Sequence, residues 1–179
     1  MMEYADHIYR SADDRLNLYA RIYDGDGPAL LMMHGLTRSS ADFDALAEQF
    51  AGRFRLVVPD QRGRGRSDYE PKPVNYTPAT YVGDMFALLD GLQISKVTLI
   101  GTSMGGLMAM MIAAMAPERV TGMILNDIGP EVDQIGLDRI QSYVGEVAPF
   151  ANWDDAANHC KKINNDALPD FDNDNWLKF

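Results

Sequence analysis

A single cysteine, Cys160, has no partner for an internal disulfide and suits a reducing compartment such as the cytoplasm. Basic residues are scarce: 16 Lys and Arg face 26 Asp and Glu, a formal net charge of −10. So acidic a chain is a poor match for a nucleic-acid backbone. Long hydrophobic runs are missing too. The longest, Leu107 to Ala116, falls well short of the ~20 residues that span a bilayer, so no membrane segment is expected. The first residues, MMEYADHIYRSADD, are acidic and lack the apolar core of a signal peptide. Repeats and low-complexity tracts are absent. At 179 residues the chain suits one domain with a sizeable core.

What is present is an alternation of apolar runs. Ile8 to Tyr9 and Leu16 to Tyr23 read as strands around a Ser11-Ala12-Asp13-Asp14 turn, with Leu16, Leu18, Ala20 and Ile22 on one face. Ala29 to Met33 and Phe54 to Val58 are continuous apolar runs, the pattern of strands buried on both faces, the second closed by Pro59-Asp60. Between them Ser39 or Ser40 can cap a helix carrying Phe43, Leu46, Ala47 and Phe50 and ending at Gly52. Thr77-Pro78 starts a second helix with Tyr81, Val82, Met85, Leu88, Leu89 and Leu92 as its buried stripe. Lys96 to Ile100 and Val120 to Leu125 are further strands. Strands alternating with helices predict a mostly parallel α/β sheet with helices on both faces.

After Pro130 the character changes. Acidic residues dominate and no buried-strand run recurs; Ile140, Tyr143, Val144 and Val147 form one helical stripe, and Trp153, Ala156, Cys160 and Ile163 another. The expected division is residues 1–130 as sheet core and residues 131–179 as a helical cap or lid.

The chain is organised around Gly101-Thr102-Ser103-Met104-Gly105, a G-x-S-x-G set between a strand and an apolar helix. With 15 Gly in 179 residues, chance yields only about 0.05 such pentapeptides, and the strand–helix placement sharpens the signal. A serine hydroxyl is a weak nucleophile until it stands clear of the backbone beside a base and oxyanion donors. A sharp turn with flanking glycines at a helix N-terminus meets part of that need.

Three motifs then occur in order: His34-Gly35 after the third strand, Asp60-x-Arg62-Gly63-x-Gly65-x-Ser67 after the fourth, and Gly101-x-Ser103-x-Gly105 after the fifth. On these residues the chain resembles the α/β-hydrolase superfamily over roughly residues 8 to 130. The members it suggests are capped and esterase-like, with helices after the sixth strand roofing the site. The resemblance implies that Ser103 attacks an acyl carbonyl while the backbone N–H groups of Leu36 and Met104 stabilise the oxyanion. His34 has two readings, a ring that brace the oxyanion turn or a proton acceptor. Arg62, Arg64 and Arg66 read as an anion patch or as a loop packed beside the site. Asp127, at the end of the sixth strand, is either the catalytic acid or a loop-capping carboxylate. No cofactor or metal is implied; His159 and Cys160 are adjacent on a helix, so their side chains diverge.

The departures from the family matter as much. Its order is nucleophile, acid, histidine, with the histidine after the last strand, yet here His159 is the one histidine downstream of Ser103 and follows no strand. The chain therefore reads as the N-terminal two-thirds of a hydrolase. An exposed apolar edge is expected at the sixth strand, open to a C-terminal fragment of the same protein or to a second copy. The expected activity is carboxylic ester hydrolysis of a small molecule through an acyl-enzyme, negligible for residues 1–179 alone. Carbon–carbon bond hydrolysis and a non-catalytic binding protein of the same fold are the alternatives. A serine in place of a carboxylate argues against dehalogenase and epoxide-hydrolase chemistry.

Overall fold

A computed structural model describes every residue except 1, 2, 51, 130, 143, 146–148, 167 and 179. Tyr143 and Val147 of the expected stripe thus lie outside the described residues. The chain divides into two units, Met1–Val132 and Asp133–Phe179.

The first unit is built on one six-stranded sheet. Its strands are β1 (Ala5–Arg10), β2 (Asn17–Tyr23), β3 (Ala29–Met33), β4 (Arg55–Asp60), β5 (Val97–Thr102) and β6 (Val120–Asn126). They lie in the order β1-β2-β4-β3-β5-β6. β1 and β2 pair antiparallel, as do β2 and β4. From β4 through β3 and β5 to β6 every pairing is parallel. Three helices belong to this unit: α1 (Asp44–Phe50), α2 (Pro78–Gly91) and α3 (Met104–Met115).

The apolar runs bury both faces because side chains alternate along a strand. Leu31 and Met33 of β3 and Val57 of β4 join Val82, Met85, Leu88, Met108 and Ile112 of α2 and α3 in one core. Leu30, Met32, Leu56 and Val58 point the other way, onto Phe43 and Ala47. β2 is more buried than its alternation implies: Tyr19 and Tyr23, opposite the Leu18 face, are 0% and 4% exposed. Caps fix the helix starts. Thr77 accepts from the Thr80 N–H, with Pro78 in the first turn, and Ser39 caps a 3-10 turn that leads into α1.

One reading of the sheet is corrected. Pro59 and Asp60 do not close β4 but belong to it, paired with Ala20 and Tyr19 of β2. β3 accompanies β4 only as far as Val57, so a proline beyond that point interrupts no ladder on the β3 side. Among the described residues β6, at the far edge, pairs with β5 alone. Its residues Met123, Ile124 and Leu125 are 41%, 54% and 37% exposed.

The second unit is helical: α4 (Gln134–Gln141), α5 (Trp153–Asn164) and α6 (Asn173–Lys178). Asn152 caps α5 by accepting from the Asp155 N–H at 2.8 Å, and acidic first-turn and basic last-turn residues complement its dipole. Trp176 is the buried aromatic of this unit. Trp153, assigned by its spacing to a buried stripe, is 81% exposed at the first position of α5, whereas Ala156, Cys160 and Ile163 are half-buried.

Candidate active site

β5 runs into α3 through Ser103, whose backbone is in the left-handed half of conformational space, φ 52° and ψ −115°. A non-glycine residue stays there only when its surroundings hold it. Here its N–H donates to the Asn126 carbonyl at 2.9 Å, and its own carbonyl accepts from Gly106 at 2.8 Å and Leu107 at 3.1 Å. The backbone is tied on both sides, while the half-buried side chain makes no capping bond to the helix. The flanking glycines are needed for space. A Cβ on Gly101 would sit 2.2 Å from the Gly105 carbonyl oxygen, and one on Gly105 would sit 2.0 Å from that of Met33.

The turn after β3 lies against this serine: a Cβ on Gly35 would be 3.7 Å from the Ser103 Cβ. His34 organises the turn from beneath. It is fully buried, with Nδ1 2.7 Å from the Gly35 carbonyl oxygen and Nε2 3.2 Å from the Gln61 N–H. A carbonyl only accepts and an amide N–H only donates, so Nδ1 carries the hydrogen and Nε2 is bare. Burial holds the imidazole down at about 4, and it is neutral at ordinary pH. Among the described residues all peptides are trans. The Leu36 N–H therefore points away from the Gly35 carbonyl that His34 engages. Among the described residues, neither this N–H nor that of Met104 donates to a protein acceptor.

The loop after β4 braces the same region. The Asp60 carboxylate is buried and accepts from the Ser40 N–H at 2.6 Å and the Arg66 N–H at 2.9 Å. Arg62, also fully buried, forks onto Asp84 of α2 at 2.8 and 2.7 Å and reaches Glu70 at 2.9 Å. Arg66 pairs with Asp6 at 2.8 Å. Two of the three loop arginines are thus neutralised internally, against an anion patch. Asp84 and Glu70 were not anticipated from sequence. The available signal was a lone carboxylate, Asp84, inside the apolar stripe of α2.

The remaining titratable candidates lie on separate elements. Asp127 follows β6, exposed and left-handed at φ 55°. His7 lies on β1, at the opposite edge of the sheet from β6, stacked on Tyr9. Four strand spacings of ~4.8 Å separate β1 from β5. His159 lies on α5 of the second unit, its ring centroid 5.1 Å from that of Phe150. Among the described residues no group of three or more His, Cys, Asp or Glu side chains is arranged to hold a metal ion.

Comparison with known proteins gives consistent matches. The profile of the alpha/beta hydrolase fold matches residues 28–175. The chain is 37% identical over 134 residues to a 3-hydroxybutyrate-oligomer hydrolase of Cupriavidus necator, covering 75% of this chain and 46% of that protein. It is 34% identical over 143 residues to a 2-(acetamidomethylene)succinate hydrolase of Mesorhizobium japonicum, covering 78% and 50%. The crystal structure of an alpha/beta hydrolase from Novosphingobium aromaticivorans superposes with a TM-score of 0.94 at 43% identity, over 99% of this chain and 63% of that one. The chain thus spans half or less of the length of these two curated relatives.

Proposed function

Because the chain belongs to the alpha/beta hydrolase fold family, we propose that it carries the nucleophile and oxyanion elements of a serine hydrolase for carboxylic esters. The observation that supports this most is the left-handed turn at Ser103, whose hydroxyl makes no capping bond to the helix and stands beside the Gly35 turn. In this reading Ser103 Oγ attacks the acyl carbon and surrenders its proton to a base. The resulting oxyanion is held by the Leu36 and Met104 N–H groups, each worth about 3 kcal/mol in the barrier. Collapse expels the alcohol, and water then releases the acid from the acyl-serine. The name of the Cupriavidus relative supports an ester, since 3-hydroxybutyrate units oligomerise through ester bonds.

His34 is not that base. Both of its ring nitrogens are engaged by backbone groups, and its neutral form is fixed as a brace. His7 sits on the wrong edge of the sheet. Asp127 is assigned as the carboxylate that orients the base, from its position beyond the strand whose end holds the Ser103 N–H. Loss of the histidine from a model triad costs about 10⁶ in turnover, so residues 1–179 by themselves hydrolyse activated esters very slowly.

A fluorophosphonate probe tests the nucleophile directly, with imidazole added as an external base. Mass spectrometry is expected to find the adduct on the peptide carrying Ser103 and to find none in Ser103→Ala. An adduct on another residue, or labelling indifferent to Ser103→Ala, sinks the assignment.

A further inference from the structure

We propose that Arg64 is a positioning residue that locks the Leu36 peptide in the orientation needed to receive an oxyanion. The inference rests on the reading of Leu36 as an oxyanion donor. Arg64 stands between Gly63 and Gly65, both left-handed at φ 75° and 53°. A Cβ on Gly65 would lie 2.1 Å from an Asp60 carboxylate oxygen, so the loop doubles back tightly at this one side chain. The guanidinium then reaches across to the other loop. Nε donates to the Leu36 carbonyl at 3.0 Å, and Nη1 donates to the Arg62 carbonyl and the Tyr81 hydroxyl, each at 2.9 Å. The rings of Tyr76 and Tyr81 flank it with centroids at 5.5 and 5.2 Å.

Two features set Arg64 apart from its neighbours. First, it completes a pair of clamps on consecutive peptides. His34 grips the Gly35 carbonyl, which shares a peptide plane with the Leu36 N–H, and Arg64 grips the Leu36 carbonyl in the next plane. With both planes held, the two free torsions of Leu36 are fixed. Second, its acceptors are all neutral. Arg62 and Arg66 are paired with carboxylates, whereas Arg64 has no such partner among the described residues. Its half-buried guanidinium bonds the carbonyl of the same residue whose N–H is the donor, where a positive charge favours an arriving negative one. Lysine would not reproduce this arrangement: its three donors radiate from one nitrogen, whereas Arg64 reaches Leu36 from Nε and Arg62 and Tyr81 from Nη1, two fixed points of a rigid planar group.

The test uses the ¹⁵N-labelled 179-residue chain, with butyrate as a carboxylate stand-in for the oxyanion. In the unaltered protein the Leu36 and Met104 amide resonances are expected to move together and saturably. Arg64→Met is expected to weaken butyrate binding about tenfold and to lower the ¹⁵N order parameter of the Leu36 amide, with that of Met104 unchanged. Arg64→Lys should restore less than half of either effect, and Tyr81→Phe, which keeps the Leu36 contact, should cause a smaller loss in the same direction. If the Leu36 order parameter and butyrate affinity are unmoved in both Arg64 variants, the positioning role is wrong. Equal loosening of Leu36, Met104 and the β5 amides would mean a general folding role, which also overturns it. Absence of any butyrate response in the unaltered protein would instead remove the oxyanion reading itself, and this inference with it.

Discussion

The N–H of Ser103 donates to the carbonyl of Asn126 at 2.9 Å, which ties the strained turn to the last residue of an edge strand. β6 is held on one side only, by β5, and its apolar residues are largely exposed. Edge elements with little buried contact open locally more often than the centre of a sheet. The Ser103 amide is therefore expected to exchange with solvent at the rate of the β6 amides and faster than that of Leu31 in β3. Protection of Ser103 equal to that of Leu31 would show that the turn holds its shape without β6.

His34 makes stability depend on pH. Its folded value of about 4 lies below the ordinary 6.5 because burial disfavours the charged ring. The unfolded chain binds a proton below 6.5 and the folded one does not until about 4, so stability is complete above 6.5 and declines as pH falls towards 4. The full loss attributable to this ring is about 3 kcal/mol. Urea unfolding at stepped pH should reveal the slope, and His34→Gln should remove that part of it even if the variant is less stable throughout. An unchanged slope in His34→Gln would place the pH dependence elsewhere.

Sequence carried the sheet and the turn at Ser103 well because both are written locally. The runs at Ala29–Met33 and Phe54–Val58 admit only strands buried on two faces, and a glycine on each side of a serine between strand and helix admits few turns. Long-range polar pairing was not legible. Arg62 meets Asp84, 22 positions along the chain, and meets Glu70 from the other side of a loop, and Glu70 is not distinguishable from a solvated carboxylate by its neighbours. The Arg64 contact with Leu36, 28 positions away, was hidden for the same reason. Asp84 alone offered a hint, since it interrupts the apolar stripe between Tyr81 and Leu88.

That buried network should dominate the polar energetics of the first unit. Arg62 and Asp84 are 0% and 1% exposed in their side chains, so removing one leaves the other charged and desolvated. Asp84→Ala is expected to cost about 3–5 kcal/mol in urea unfolding. Replacing both, as Arg62→Met with Asp84→Leu, should recover part of that loss, because no uncompensated charge is then left between them. A single replacement costing less than 1 kcal/mol, the scale of exposed pairs, would mean that water reaches the network.

The open edge of β6 carries the last expectation. Met123, Ile124 and Leu125 are consecutive, so their side chains fall on both faces of the sheet, and all three are at least 37% exposed. Beyond them lies a row of backbone donors and acceptors with no strand alongside among the described residues. An apolar edge of this kind pairs with other polypeptide when concentration permits. Sedimentation velocity across a wide concentration range is expected to show self-association of the 179-residue chain, and Ile124→Lys, which puts a charge on the edge, should suppress it without lowering the melting temperature. Native mass spectrometry distinguishes a second copy from a different polypeptide carried through purification. A strictly monomeric species at every concentration, with no companion chain, would mean that this edge is tolerated in water as it stands.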